Sequence, residues 1–489
     1  MLVQSVFDLA FLYQTVPRIG GIGTPSQANM ILWYAADMET AYSSSQLITT
    51  LTDQSGNSNS ASINVSSPNV KYTTNILNGK PVFYFTSSGG FFQIKDFGHV
   101  TSSLTQSAEY IVVLRSAADP LTQASSLGPV MLASASNQGT PALPYTDGKM
   151  YELFATTTGN RVGTKPTSAS LSSSFRIFNV VSTTSSFEML YDGKTIYFDS
   201  SSTPNTFGLS APYLLGKVLN VNGNPWEGMI AEFMVHAPAL ADSQRSQTYA
   251  YLNGKYAMTA PYTTSVNITP ASYSDNLVIW LTVDSLSALT TGSNIGVWSA
   301  SYGTNHFSSS GTTAPIYKGN MLNGRAAVAF NTSTYFTAST RFTIPANTPF
   351  TVMSVVQAHA DSVLVSHDGS SQNFQLRVRR ANAAQNGLFC NAQNELLLGV
   401  SRNAGDFQTA VWKRGLSGSN VTALRSMPLN SAFSAPAVNQ CLSSRIGGTD
   451  AHGLPLTGSI CEFIAWNRAV EDWEIVDLWT HYIYPKYRL

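Results

Sequence analysis

Part of this chain is written twice. Residues 31–37, ILWYAAD, correspond to 278–284, VIWLTVD, which sets Trp33 against Trp280 and Asp37 against Asp284. NILNGK at 75–80 then matches NMLNGR at 320–325, and GMIAEF at 228–233 matches GSICEF at 458–463. The order is kept while the spacing changes, as tandem duplication with unequal loops produces. Two domains of one fold are therefore expected, and 489 residues is an ordinary length for such a pair.

Weaker matches fall where that alignment puts them. Phe91 and Phe92 correspond to Tyr335 and Phe336, YIVVL at 110–114 to FTVMSVV at 350–356, and FRIFNVV at 175–181 to FQTAVW at 407–412. These runs are short, rich in Val, Ile, Phe, Tyr and Thr, and bounded by Gly, Pro, Asn and Ser, which is a strand signature. Asn78-Gly79, Asn323-Gly324 and Asp192-Gly193 sit between such runs and supply the positive φ angles of type I′ hairpins. One helix is expected at the end of each repeat: Asp242 capping SQRSQTYAYL with Gly254 as its stop, and Asp472 capping WEIVDLWTHYIY with Pro485 ending it. Each would cover one end of its sandwich, burying Tyr251 and Leu252 or Trp479 and Tyr482.

The expected organisation is an N-terminal arm over 1–27, a first module over 28–258, a linker over 259–275 and a second module over 276–489. The apolar start of the arm is costly to expose, so it docks on its own domain or on a partner. The segment MLVQSVFDLAFLYQ lacks a basic start and is interrupted by Asp8, so no secretory signal is expected. No run is long and apolar enough for a membrane span.

Charge is scarce and balanced: 27 basic against 27 acidic side chains, 11% of the chain, against 43% hydrophobic residues. Ordinary domains carry roughly 25% charged residues. The surface must therefore be built mainly from neutral hydroxyls and amides. Without a basic footprint, nucleic-acid binding and docking on acidic membranes are not expected. Cys390, Cys441 and Cys461 are too few for a disulfide framework and leave at least one thiol unpaired.

The order W-x3-D, LTDQSGNSNSA at 51–61, LNGKPVFYF at 77–85 and GMIAEFMVHAPALADSQRSQTYAYLNGKY at 228–256 resembles the concanavalin A-like lectin/glucanase superfamily, in particular its laminin-G-like modules. WLTVD, LNGRAAVAF and GSICEFIAWNRAVEDWEIVDLW carry the likeness through the second half. The resemblance implies an all-β protein of two tandem antiparallel jelly-roll sandwiches, each with one short C-terminal helix. Binding would lie at loop tips or on the concave sheet. The second repeat departs from the pattern at Ala300, where Asp53 stands in the first, so a ligand role for that Asp could not be shared.

Glycoside hydrolysis is the enzymatic option such a fold suggests, and it needs two carboxylates flanking the scissile bond. The superfamily's hydrolases carry them in an ExDxxE strand, which is absent here. Glu232 and Glu462 stand alone in their strands, and Glu471, Asp472, Glu474 and Asp477 fall in the expected helix. No HxH, HExxH, CxxC or GxSxG occurs, so zinc and serine-nucleophile chemistry have no support. Asp147-Gly148, Asp192-Gly193 and Asp368-Gly369 could lend oxygen ligands to calcium, although ordinary turns use the same residues. Trp33, Trp280, Trp298, Tyr335 and Phe336 suit core packing better than sugar stacking. Trp226, in NGNPWEG, has no strand to explain it and stands open as an exposed platform. Asn64, Asn267, Asn331 and Asn420 lie in N-x-S/T sequons.

The expectation is a non-enzymatic virion structural or surface protein, viral or bacteriophage, acting as a fibre, decoration or appendage subunit. It would be oligomeric and without cofactor, with other particle subunits and host cell-surface glycans as partners. The alternative is a bacterial secreted or cell-surface carbohydrate-binding or adhesion protein, and a polysaccharide hydrolase is a third class.

Overall fold

The computed structural model describes residues 23–63, 69–86, 89–94, 107–120, 130–131, 141–152, 154, 161–200, 213–217, 226–260, 268–309, 311, 314–344, 348–359, 362–367, 375–381, 385–390, 407–414, 420–425, 432–434, 441–447 and 456–489. Most of the N-terminal arm, residues 261–267 of the linker, Asp368-Gly369, Asn64 and Asn267 lie outside them.

The chain forms the all-β pair that its repeats imply. In the first module an eight-stranded antiparallel sheet is centred on Gly228–His236, which pairs with Ala108–Ser116 on one side. Its other side is shared by two strands, Lys80–Phe85 along residues 228–230 and Met30–Ala35 along residues 232–236. The second module repeats this plan. Gly458–Trp466 pairs with Phe350–Ala358 on one side, and with Arg325–Phe330 and then Leu277–Thr282 on the other. Sheets of five and seven strands face these two.

Where the shared edge passes from one partner to the next, each central strand carries a bulge, at Ala231 and at Cys461. A bulge adds a residue to one strand and re-aims the next side chain. Ile230, Phe233 and Val235 point into the core between the sheets, whereas Ala231 and Met234 join a second core on the outer face. Ile460, Phe463 and Ala465 are divided from Cys461, Ile464 and Trp466 in the same way. Both faces of the central strand are thus apolar, and each outer face needs a cover.

The terminal helices provide it. Helix α1 (Asp242–Tyr256) buries Tyr249, Tyr251, Leu252 and Tyr256 on the outer face of the large sheet, not at the end of the sandwich. It runs past Gly254, because Lys255 and Tyr256 have partners in the sheet, and Ala241 rather than Asp242 occupies the cap. In the second module, α2 (Asp472–Leu478) is capped at Glu471 and continues through a π-turn, Trp479–Ile483, into a last helical turn, α3 (Tyr484–Tyr487). Pro485 lies within this continuous helical run, after the π-turn, and does not end the helix.

The π-turn has a cause visible in the duplication. Asp472 to Tyr482 spans one residue more than the equivalent Asp242 to Tyr251. A π-turn is how an α-helix absorbs a single extra residue. Residues beyond the insertion thereby recover the contacts of their counterparts. The three hairpins also form as expected, with φ of 48° and 72° at Asn78-Gly79, 49° and 76° at Asn323-Gly324, and 50° and 77° at Asp192-Gly193. The side-chain amides of Asn78 and Asn323 donate to the carbonyls of Lys255 and Lys486, tying each hairpin to the end of its helix.

The two modules are joined by α2. Trp473 inserts into the core cluster of the first module, with Lys194 Nζ 4.3 Å from its ring. Thr167 donates its N–H and hydroxyl to Glu471, and Phe198 packs on Trp479 and Tyr484. The equivalent face of α1 is polar and open, with Ser243 and Gln247 where α2 has Trp473 and Asp477.

Candidate functional site

Glu232 and Glu462, the two isolated strand carboxylates, occupy the same place in their modules, and both are fully buried. Following a bulge, each is turned outward beneath its helix. Glu232 accepts from the Trp33 indole (2.6 Å), the hydroxyls of Tyr251 (2.9 Å) and Tyr256 (2.7 Å), and the Lys255 ammonium (2.9 Å). Glu462 accepts from Trp280 (3.0 Å), Thr282 (2.9 Å), Tyr482 (2.7 Å), Tyr487 (2.8 Å) and Lys486 (2.5 Å). Asp37 and Asp284 lie 2.7 Å from the two lysines. Burial raises the pKa values of Tyr251, Tyr256, Tyr482 and Tyr487, with the neighbouring glutamate adding to it, so these phenols stay protonated as donors. The arrangement satisfies the carboxylate and leaves it no contact with solvent. It clamps a helix to a sheet.

The sequence pairs Trp33 with Trp280, Asp37 with Asp284 and Glu232 with Glu462, and the structure brings all three members together in each module. The missed members are the lysine and second tyrosine of Y-x3-K-Y, at 251–256 and 482–487. That signal repeats in the sequence, with the second copy at the end of the chain.

The other candidates are explained by local structure. Asp53 accepts from the backbone N–H groups of Trp33, Ser55 and Asn59, so it orders its own loop. In the second module the Tyr302 carbonyl accepts from Trp280 N–H instead, which is why Ala300 is tolerated at the Asp53 position. Asp147 accepts from Lys149 N–H and the Tyr151 hydroxyl, and Asp192 from Ile177 N–H and Arg176. Among the described residues no group of three His, Cys, Asp or Glu is placed to hold a metal. Trp226 is fully buried against Phe85 and Gly228 and is no exposed platform. Trp298 and Phe336 are core residues, and Trp33 is 7% exposed.

Two features have chemistry to spare. The first is the charged centre of the module interface. His481 Nδ1 lies 3.1 Å from Asp477 of its own helix, and Nε2 lies 4.0 Å from Glu188 of the first module. Asp477 also accepts from Thr195 N–H and the Tyr273 hydroxyl. Burial disfavours the imidazolium, but the Asp477 hydrogen bond and the charges of Glu188, Asp477 and Asp242 outweigh it and raise the pKa of His481. Burial also raises Glu188, against the pull of His481 and Arg245. Glu471 is resisted by burial too, but its bonds from Thr167 and Trp473 hold it below its ordinary value.

The signs give a pH window. The His481 contribution is full below its ordinary 6.5 and is lost as pH rises through the raised folded value. Glu188, also raised, acts in the same direction. The Glu471 contribution is present above its ordinary 4.5 and lost as pH falls through the lowered folded value. Melting temperatures across a pH series should therefore fall as pH rises above 6.5, and His481→Gln should flatten that decline while leaving the acid limb in place.

The second feature is a cavity of about 260 Å³ on the first module, beside the end of α1. Its walls include Leu77, Phe175 and Met258, with Ser174, Arg176 and Asp192 among its polar groups. Arg176 Nη1 is 2.9 Å from Asp192. One wall, residues 257–260, is pinned by Asn253, whose side chain bonds the N–H and carbonyl of Ala260.

No protein-family model matches this chain, and no curated protein matches it in sequence. Among solved structures it is similar to domain 4 of AbnA, a GH43 extracellular arabinanase from Geobacillus stearothermophilus, in complex with arabinotriose: 14% identity, TM-score 0.31, 46% of this chain and 98% of that one. It is also similar to the botulinum neurotoxin type C structure whose report ties cell entry to two ganglioside molecules: 11% identity, TM-score 0.32, 91% of this chain and 99% of that one. A third is a heptameric SAP-like pentraxin from Limulus polyphemus: 14% identity, TM-score 0.25, 28% of this chain and 73% of that one. Likenesses of this size assign no ligand to the chain.

Proposed function

We propose that this chain is a non-enzymatic structural or surface subunit of an assembled particle, a virion in the first instance, whose two fused sandwiches present a site for glycans. The observation that carries the non-enzymatic part is the state of Glu232 and Glu462. Each is fully buried under a helix, and its hydrogen-bonding capacity is taken by Trp, Tyr and Lys donors. A hydrolase needs carboxylates facing a cleft that admits both a sugar and a water.

The balanced, sparsely charged surface supports contact through hydroxyls and amides rather than electrostatic steering. Weak sugar contacts suit a subunit present in many copies, because tethering multiplies them. Incubation with a polysaccharide panel should release no reducing ends, and a glycan array probed with the multimerised chain should show saturable binding. Turnover of any polysaccharide, or an array without signal, overturns the reading.

A further inference from the structure

We propose that the cavity between the end of α1 and the Asp192-Gly193 hairpin is a binding site for one neutral sugar ring, held through a vicinal diol on the Arg176–Asp192 pair. This rests on the glycan-binding reading above and gives it a location. The volume of about 260 Å³ lies just under the roughly 300–1,000 Å³ of pockets for drug-sized ligands, so it suits a single ring rather than an extended chain.

The polar groups suit hydroxyls. A carboxylate offers about four acceptor sites, and Asp192 uses one for Ile177 N–H and one for Arg176. A guanidinium carries five N–H donors, and Arg176 spends one on Asp192 and one on the Ser170 carbonyl. The pair can therefore accept from one hydroxyl and donate to its neighbour, as a vicinal diol requires. The side chains are 23% and 16% exposed, sheltered enough for such bonds to count. Leu77, Phe175 and Met258 offer apolar wall for the C–H face of a ring.

The charges argue for a neutral ligand. Arg176 and Asp192 cancel one another, so an anion or cation bound here would face the like charge of one of them. The site is also preformed: Asn253 fixes the wall, and Asp192 is tied to Ile177 by its own N–H donating to the Ile177 carbonyl and by the Ile177 N–H donating to its carboxylate, so little ordering is left to binding. By strand register, Gln408 takes the place of Arg176 in the second module. The second module therefore lacks the pair.

The test uses the whole chain with methionine methyl groups labelled for NMR and methyl glycosides of glucose, galactose, mannose and N-acetylglucosamine as probes. At least one should shift the Met258 methyl saturably, with an affinity that does not change with salt. Arg176→Gln, which installs the residue of the second module, should weaken it by about tenfold or more. Thr259→Trp starts from an exposed wall position and leaves the ion pair untouched. It should abolish the shift at unchanged melting temperature. Array binding that survives Thr259→Trp, or that leaves Met258 unmoved, overturns this site and spares the glycan reading. A ligand whose affinity falls steeply with salt overturns the neutral assignment. Absence of binding on both the array and NMR overturns site and reading together.

Discussion

Replacing Glu462 with Ala should destabilise the second module by about 3–5 kcal/mol, the cost of stranding a buried ionic partner. Lys486, 8% exposed, would keep Asp284 as its one counter-charge in place of two, and Trp280, Tyr482 and Tyr487 would each lose an acceptor. Glu232→Ala should act alike on the first module, where Lys255 is 5% exposed. Urea unfolding is the direct measurement. Glu462→Gln with Lys486→Met should recover part of the loss, because the second change removes the stranded charge. A change near zero for Glu462→Ala would mean that the clamp contributes no net stability and would reopen the question of why the carboxylate is there.

Trp473→Ala should have a comparable effect by a different route. Truncating a buried Trp costs about 3–5 kcal/mol through lost burial and the cavity left behind. Here the cavity opens between modules, since Trp473 is rooted in α2 and buried in the first module. Calorimetry should show the two modules melting together in the parent chain and apart in the variant. Ser243→Ala, at the equivalent and exposed position on α1, is the matched control and should change little. A single unaltered transition in Trp473→Ala would show that the contact does not couple the modules.

The duplication was legible because it rests on features that backbone geometry enforces: apolar strands, Asn-Gly turns and the GxIxEF strand. The place of the helices was not read correctly. Yet GMIAEFMVH and GSICEFIAW are apolar on both faces, which calls for a cover on the outer one. The clamp was half visible, since Trp33, Asp37 and Glu232 align with their counterparts. Lys255 and Lys486 look like ordinary surface cations until the bulge and the helix bring them over the carboxylates. Trp226 misled because a turn sequence says nothing of whether the indole itself is buried. The cavity could not be read at all, because the Ala257–Ala260 wall meets Arg176 and Asp192 only through the packing of α1 on the sheet.

The Trp473 contact also bears on how copies of this protein can meet. The Trp473 plug and its socket in the first-module core beside Lys194 belong to one polypeptide, so each molecule satisfies this contact with itself. End-to-end growth through that surface would first require the molecule to open, and the polar outer face of α1 offers no second plug. Any larger array must therefore be stitched together elsewhere, and opening the intramolecular latch is the one route by which this contact could be exchanged between neighbours.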